Sequence, residues 1–394
     1  MFDIMTAVKS VEQEVIQLRR HLHANPEVGY EEHATSSFIA EKLLEYGLEV
    51  QQGIGGTGVV GVLAGAQPGP CVALRADMDA LEVQEATGLP FAATNGKMHA
   101  CGHDGHTAIL LGVAKVLSLH RGSIVGTIKF LFQPAEECAP FGGAKSLIEA
   151  GAMNNPTVDY IYALHLWPDV PFGKVGLKSG SLMSASDRIR IDIIGKGGHG
   201  AIPHQAVDAV VVASQVVNSL QTIVSRTVDP LDAAVVTIGS LHAGQRYNVI
   251  AQTAHLDGTV RTQNEAVRKV LPERITTLVQ SIAVGMGARA EINYELGYPT
   301  LYNNPQAINL LRTASVSVLG ADSTVDLERP SMGGEDFAFF LDYAAGAMFW
   351  LGCKGPNTPD YPIHNAKFDF DESVMVRGMA VFCAVALLSL TQGV

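Results

Sequence analysis

Three histidines, a cysteine and an aspartate stand within eight consecutive positions, His99-Ala-Cys-Gly-His-Asp-Gly-His106. Thiolate sulfur and imidazole nitrogen both bind borderline divalent metals well. Cys101 and His103 are two residues apart, so an extended turn aims both side chains to one side. Gly102 and Gly105 permit that turn. A polar loop capping a helix, with a buried structural cysteine, explains any one of these residues but explains their density poorly.

Other stretches offer matching chemistry. Gln133-Pro-Ala-Glu-Glu137 presents adjacent carboxylates. From an extended segment they cannot both face one ion, so one reads as a metal ligand and the other as a general base facing a water. By itself the pair reads equally as a solvated acidic loop. His165 lies between Leu164 and Leu166, ahead of Trp167-Pro168, and alone reads as a satisfied core histidine. Asp77 and Asp79, in Arg75-Ala-Asp-Met-Asp79, alternate on one face and suit the orienting of ligands by hydrogen bonds. His364, in Tyr361-Pro-Ile-His-Asn365, alone reads as a surface turn residue. Together Cys101, His103, Glu137, His165 and His364 offer five ligands. A mononuclear catalytic site takes three. Five suit two ions that share a bridging group and clamp a water.

The surrounding pattern supplies elements to carry these groups. Val59–Ala64, Cys71–Ala76, Gly126–Phe132 and Tyr160–Leu166 read as short strands. Val11–Leu22, Ser36–Tyr46, Thr107–His120 and Ala144–Ala150 read as helices. Their alternation predicts an α/β domain with a mixed, mainly parallel sheet covered by helices. In such sheets ligands sit beyond the carboxyl ends of the strands, where most of the candidate residues fall. A second unit begins near Ser186, with the order strand Arg188–Ile194, helix Val207–Arg226, strands Ala233–Ser240 and Thr253–Thr262, helix Glu265–Val284, strand Ala288–Leu296. That is the ferredoxin-like βαββαβ order. After Pro299 the first pattern resumes through Pro305–Leu319, Ala347–Leu351 and Asp371–Leu390. We therefore expect a discontinuous domain, residues 1–185 and 297–394, with an α+β domain, residues 186–296, inserted.

Composition narrows the class. The chain has 394 residues, 47% hydrophobic and 17% charged, which excludes a disordered chain and suits two domains. The net charge is −12 with no basic tract, so nucleic acid and membrane surfaces are not expected partners. Five scattered cysteines (Cys71, Cys101, Cys138, Cys353, Cys383) argue for a reducing compartment rather than a disulfide framework. The first residues lack a signal-peptide pattern. The apolar stretch Met379–Leu390 is shorter than the roughly 20 residues a membrane span needs. A cytoplasmic protein is expected.

The motifs HACGHDGH, QPAEE, ALHLWP and RADMDAL resemble the M20 metallopeptidase superfamily, in its aminoacylase and hippurate hydrolase branch, which also includes the auxin-conjugate amidohydrolases. The resemblance runs from about Leu18 to Asp369. It implies a dinuclear centre with Cys101, His103, Glu137, His165 and His364 as ligands and Glu136 as general base. In the wider superfamily an H-x-D motif supplies a metal-binding histidine; Asp77-Met-Asp79 stands in its place, and Asp77 and Asp79 read as supporting groups. In Gly195-Lys-Gly-Gly-His199-Gly200, His199 resembles the lid histidine that stabilises the developing oxyanion, often across a dimer interface. Asn248 resembles a lid position near the substrate, and Arg261 reads either as a partner of a substrate carboxylate or as a surface ion-pair residue. Separately, Gly333 and Gly334 in Ser331-Met-Gly-Gly-Glu-Asp336 suit close backbone approach to a substrate, or an ordinary turn before a helix.

The resemblance thus implies hydrolysis of N-acyl amino acids, hippurate-like or N-acetyl and N-benzoyl, by a homodimer formed through the inserted domain. Zinc, manganese, cobalt and nickel all suit the donor set. Ala251 and Glu82 stand where the family usually has proline, and Cys138 stands where a small residue is common. Those departures bear on pocket shape. A metal-dependent dipeptidase or carboxypeptidase is the alternative; a non-catalytic metal-binding protein of the same fold is a further one. A zinc deaminase would need H-x-E with a downstream P-C-x-x-C, which the chain lacks.

Overall fold

Unbroken apolar runs such as Cys71–Leu74 and Tyr160–Leu164 form strands buried on both faces, as parallel strands beneath helices must be. The computed structural model describes residues 2–356 and 358–392. The chain divides into two units. The first comprises Met1–Leu182, Tyr302–Arg329 and Asp336–Val394; the second comprises Met183–Leu301 and Pro330–Glu335. The short segment Pro330–Glu335 thus groups with the second unit, whereas the sequence pattern assigns it to the first.

The first unit contains strands β1 (Glu49–Ile54), β2 (Gly58–Ala64), β3 (Gln67–Asp77), β4 (Val125–Gln133), β5 (Tyr160–Trp167) and β6 (Val175–Leu177). Later segments add β15 (Thr324–Asp326) and β16 (Ala345–Gly352). These eight form one sheet in the order β1-β2-β4-β3-β5-β16-β6-β15. Its centre, β4-β3-β5-β16, is parallel, while β1, β2 and β6 join it through antiparallel pairs. Helices α1 (Ile4–Ser10), α2 (Glu12–Ala24), α3 (His33–Glu45), α4 (His103–Leu119), α5 (Ala144–Glu149), α8 (Pro305–Leu319) and α9 (Met375–Gln392) complete the unit. In α4 every residue from His103 to Ala114 is buried. The stretch Glu372–Thr391, which contains most of α9, is long and apolar enough to cross a membrane, yet 83% of its most apolar window is buried inside the protein. It serves as a core helix.

In the second unit β8 (Ala185–Ile194), α6 (Ala209–Thr227), β10 (Ala234–Ala243), β12 (Thr253–Thr262), α7 (Glu265–Gly285) and β13 (Arg289–Tyr298) follow one another. The sheet is antiparallel with order β10-β12-β8-β13, a ferredoxin-like sandwich. Period-2 patterning explains its single core: Ile189, Ile191 and Ile193 of β8 bury against α6 and α7 residues such as Val216, Leu220, Leu271 and Ile275. β9 (Gly198–His199) and β11 (Val249–Ile250) make a small separate ribbon, and β7 (Gly180–Met183) pairs with β14 (Leu301–Asn303).

A buried ion pair ties this second unit together. Asp187 accepts from Arg268 Nη2 at 2.7 Å, Arg268 Nε at 3.1 Å, Tyr294 Oη at 3.1 Å and the Gly297 N–H at 2.9 Å. Removing the carboxylate strands a buried guanidinium. Asp187→Ala should therefore cost about 3–5 kcal/mol, read as a lower urea midpoint for the second unit by fluorescence or circular dichroism; an unchanged midpoint would refute the role given to this pair.

Candidate metal centre

The parallel register of the first unit aligns the strand ends that carry chemistry. Asp77 at the end of β3 pairs with Gln133 at the end of β4, and His165 near the end of β5 pairs with Trp350. Arg75 and Gln133 lock two of these ends to a single buried carboxylate, Asp336: Arg75 Nη2 donates to it at 3.1 Å and Gln133 Nε2 at 2.8 Å. The Ala144 N–H donates to the same carboxylate at 2.9 Å.

Gly102, with φ +88°, turns the chain sharply, and α4 begins at His103. The turn leaves Cys101 and His103 buried and close to His165: the three offer ligand atoms within 4.8 Å of one another. Gly105, expected to help the turn, lies instead inside α4. A Cβ there would sit 2.6 Å from the Phe370 ring and 2.8 Å from Leu166, so its role is close packing. A second group, Cys101, Glu137 and His364, meets the same distance criterion and shares Cys101 with the first. His364 reaches Glu137 at 3.1 Å from a left-handed backbone, φ +66°, whose N–H donates to Ala100 O at 2.7 Å.

The two adjacent glutamates lie in a turn after β4 rather than in an extended segment. Ala135 takes a left-handed φ of +54°, at a cost of roughly 1–2 kcal/mol for a residue with a Cβ. Glu136 and Glu137 both offer a carboxylate oxygen close to a ring nitrogen of His103, the three atoms lying within 4.8 Å of one another.

Hydrogen bonds orient the imidazoles. His103 Nδ1 lies 3.0 Å from Asp79 O and 3.2 Å from Asp79 Oδ1, so it carries its proton there and turns Nε2 into the cluster. That buried Nε2 has no hydrogen-bond partner, as expected of an atom aimed at an ion. His165 Nδ1 donates to Leu166 O at 2.8 Å, leaving its Nε2 3.5 Å from Cys101 Sγ. Asp79 Oδ2 also accepts the Glu137 N–H at 2.9 Å. Asp77 and Asp79 thus both touch histidines of the cluster.

Charge in the cluster is strongly unbalanced. Burial opposes protonation of His103, yet Asp77, Asp79 and Glu137 raise its pKa to about 10. Burial, together with Glu137, Glu136 and Asp77, pushes the Cys101 thiol well above its ordinary value. Burial and the neighbouring His106 hold His165 neutral. Glu137 resists burial through His364 and His103, which keep its carboxyl below the usual range. A divalent cation would offset this excess negative charge and favour the thiolate, so the donor set fits a bound metal.

Sequence reasoning missed three partners. His106 accepts the Leu166 N–H at Nε2, 2.9 Å, so its Nδ1–H points to Asp77 Oδ1 at 2.6 Å. It therefore holds the backbone N–H that follows His165, and has no nitrogen left for an ion. Asp104 faces away, pairing with Arg19 Nε at 2.7 Å and with His23 Nδ1 at 2.8 Å. Spacing gave a hint for His106, which follows His103 by three residues on α4. Nothing local marked Arg19 or His23.

The remaining candidates lie in the second unit. His199 pairs with Val249 across the β9–β11 ribbon, and the Gly200 N–H donates to Asn248 O at 2.9 Å, so His199 and Asn248 are neighbours. Arg261, on β12, keeps a buried Nη1 without a hydrogen-bond partner. Gly333 spends its N–H on Ser331 Oγ at 3.0 Å, and Gly334 packs so tightly that a Cβ would lie 2.7 Å from the Ser186 Cβ.

Residues 73–388 match the model of peptidase family M20/M25/M40. A thermostable carboxypeptidase of Saccharolobus solfataricus is 40% identical over 384 residues, covering 96% of each chain. The hippurate hydrolase of Campylobacter jejuni is 37% identical over 389 residues, covering 98% of this chain and 99% of that enzyme. A solved dinuclear metal-binding M20 peptidase of Bacillus subtilis is 35% identical, with TM-score 0.85 over 98% of this chain and 99% of that one. With this fold, this cluster and these relatives, the chain belongs to peptidase family M20/M25/M40 and is a metal-dependent amide hydrolase.

Proposed function

We propose that the enzyme hydrolyses N-acyl amino acids to a carboxylic acid and a free amino acid, at two divalent ions held by Cys101, His103, Glu137, His165 and His364. The observation that carries this reading is the pair of three-residue donor groups that share Cys101, with Glu136 beside them. The relatives add support: a hippurate hydrolase and a carboxypeptidase both cleave an amide whose nitrogen belongs to an amino acid with a free carboxylate.

Bound ions would polarise the amide carbonyl and acidify the attacking water. Glu136 takes the proton of that water and returns it to the leaving amine nitrogen. His199 is assigned to the developing oxyanion by its motif. Asn248 and Arg261 are assigned to the substrate carboxylate, and the unsatisfied Arg261 Nη1 supports that role. The proposal includes zinc, manganese, cobalt or nickel as the metal and a homodimer formed through the second unit. It also includes a cytoplasmic location, in keeping with five free cysteines.

Three measurements test this reading. Stripped of metal, the enzyme should lose turnover of N-acetyl and N-benzoyl amino acids and regain it with zinc, manganese or cobalt. A preference for dipeptides would make it an exopeptidase, and inactivity when fully metallated would make it a binding protein. Glu136→Gln should keep its metal while kcat drops by about 10²–10⁴-fold; undiminished kcat removes Glu136 from the base role. Cys101→Ala should lower metal occupancy, and His106→Ala should weaken metal affinity about 10–100-fold in a chelator competition. Wild-type affinity in either variant would contradict the role assigned to that residue.

A further inference from the structure

Glu32 stands at the entrance of α3 but does not cap it. The free N–H groups of Ala34 and Thr35 go instead to Glu27, at 3.2 and 2.8 Å. The Glu32 side chain turns inward and is fully buried. Its Oε1 accepts the Ala135 N–H at 2.8 Å, and its Oε2 accepts from Thr57 Oγ1 at 2.6 Å. A buried carboxyl is costly unless its oxygens are occupied, and both of these are. Burial pushes this carboxyl up to about 7.

The residue it grips is Ala135, which takes a left-handed φ of +54° immediately before Glu136. The N–H groups on either side of Glu136 are taken by different carboxylates: Ala135 by Glu32, and Glu137 by Asp79. Asp79 also touches His103, so it serves the metal side of the turn. Glu32 bonds to none of the five proposed ligands. The turn has no slack on this flank, since a Cβ on Gly29 would lie 2.4 Å from Cys138 Sγ and 2.9 Å from Ala135 Cα.

We propose that Glu32 is a positioning residue for the proton-transfer step: by holding the Ala135 N–H it fixes the turn that aims the Glu136 carboxylate. This rests on Glu136 being the base. The division of labour is specific. Loosening Asp79 frees the ligand, whereas loosening Glu32 frees the base and leaves the metal in place.

The test compares Glu32→Ala, Glu32→Asp, Glu32→Gln, the double variant Glu32→Ala/Ala135→Gly, and Glu136→Gln, all as full-length metal-loaded enzyme. Glu32→Ala should lose about 10²-fold in kcat, the scale of a misplaced catalytic group, with KM, metal per chain and the visible spectrum of the cobalt-substituted enzyme unchanged. Glu32→Gln keeps an oxygen for Ala135 and should retain most of kcat. Glycine at 135 tolerates the positive φ without a Cβ and should restore part of the loss. If Glu32→Ala does not fold, Glu32→Asp, whose carboxylate is one methylene short, should show the same isolated drop in kcat. Wild-type kcat in Glu32→Ala or Glu32→Asp, metal loss in step with activity, or failure of Gln to rescue would each overturn the proposal. A fully active Glu136→Gln would instead remove the base assignment itself; an inactive one beside a fully active Glu32→Ala would sink only the role of Glu32.

Discussion

Concentrated negative charge at the carboxyl ends of buried strands is the constraint that organises the first unit. Asp77, Asp79, Glu136 and Glu137 gather around His103, a buried residue with a strongly raised proton affinity. Such a cluster is stable only if every group has a partner or a cation to answer it. Arg75 and Asp336 brace the strand ends from one side, and Arg19 with Asp104 braces the start of α4 from the other. Much of the first unit's polar interior is thus devoted to holding charges at fixed separations.

The supports act mostly on backbone rather than on ligand atoms. His106 holds the Leu166 N–H, and the Leu166 carbonyl on the next peptide holds His165. Glu32 and Asp79 hold peptides on either side of Glu136. Fixing the peptide fixes the side chain's starting direction, and short stiff links then place the donor atom. Preorganisation of this kind lets a turn with an unfavourable left-handed residue persist at the site.

The alternation of strands and helices was legible because parallel strands read as apolar runs and helices as 3.6-residue stripes. The ferredoxin-like order of the second unit was legible for the same reason, down to the alternation of Ile189, Ile191 and Ile193. Cys101, His103 and the Glu136–Glu137 pair stood out by local density of unusual residue types. His165 and His364 did not stand out alone, because a single histidine in an apolar strand or in a turn has ordinary uses. Glu32, Arg19 and His106 were not legible as supports. Glu32 and Ala135 are 103 residues apart, and Arg19 and Asp104 are 85 apart, so only the folded topology shows that they meet. The turn that carries the glutamate pair was not legible, because it depends on one positive φ at an alanine, which no sequence pattern marks.

Strand β16 lies between β5 and β6, although the whole second unit separates it from them along the chain. On the ribosome, β5 therefore waits with one edge open while the ferredoxin-like unit is made, and that unit has all its strands and helices before β16 emerges. His364 emerges later still. The order of synthesis thus delivers the inserted unit before the last donor, so the nascent chain cannot assemble its full cluster until His364 has been made.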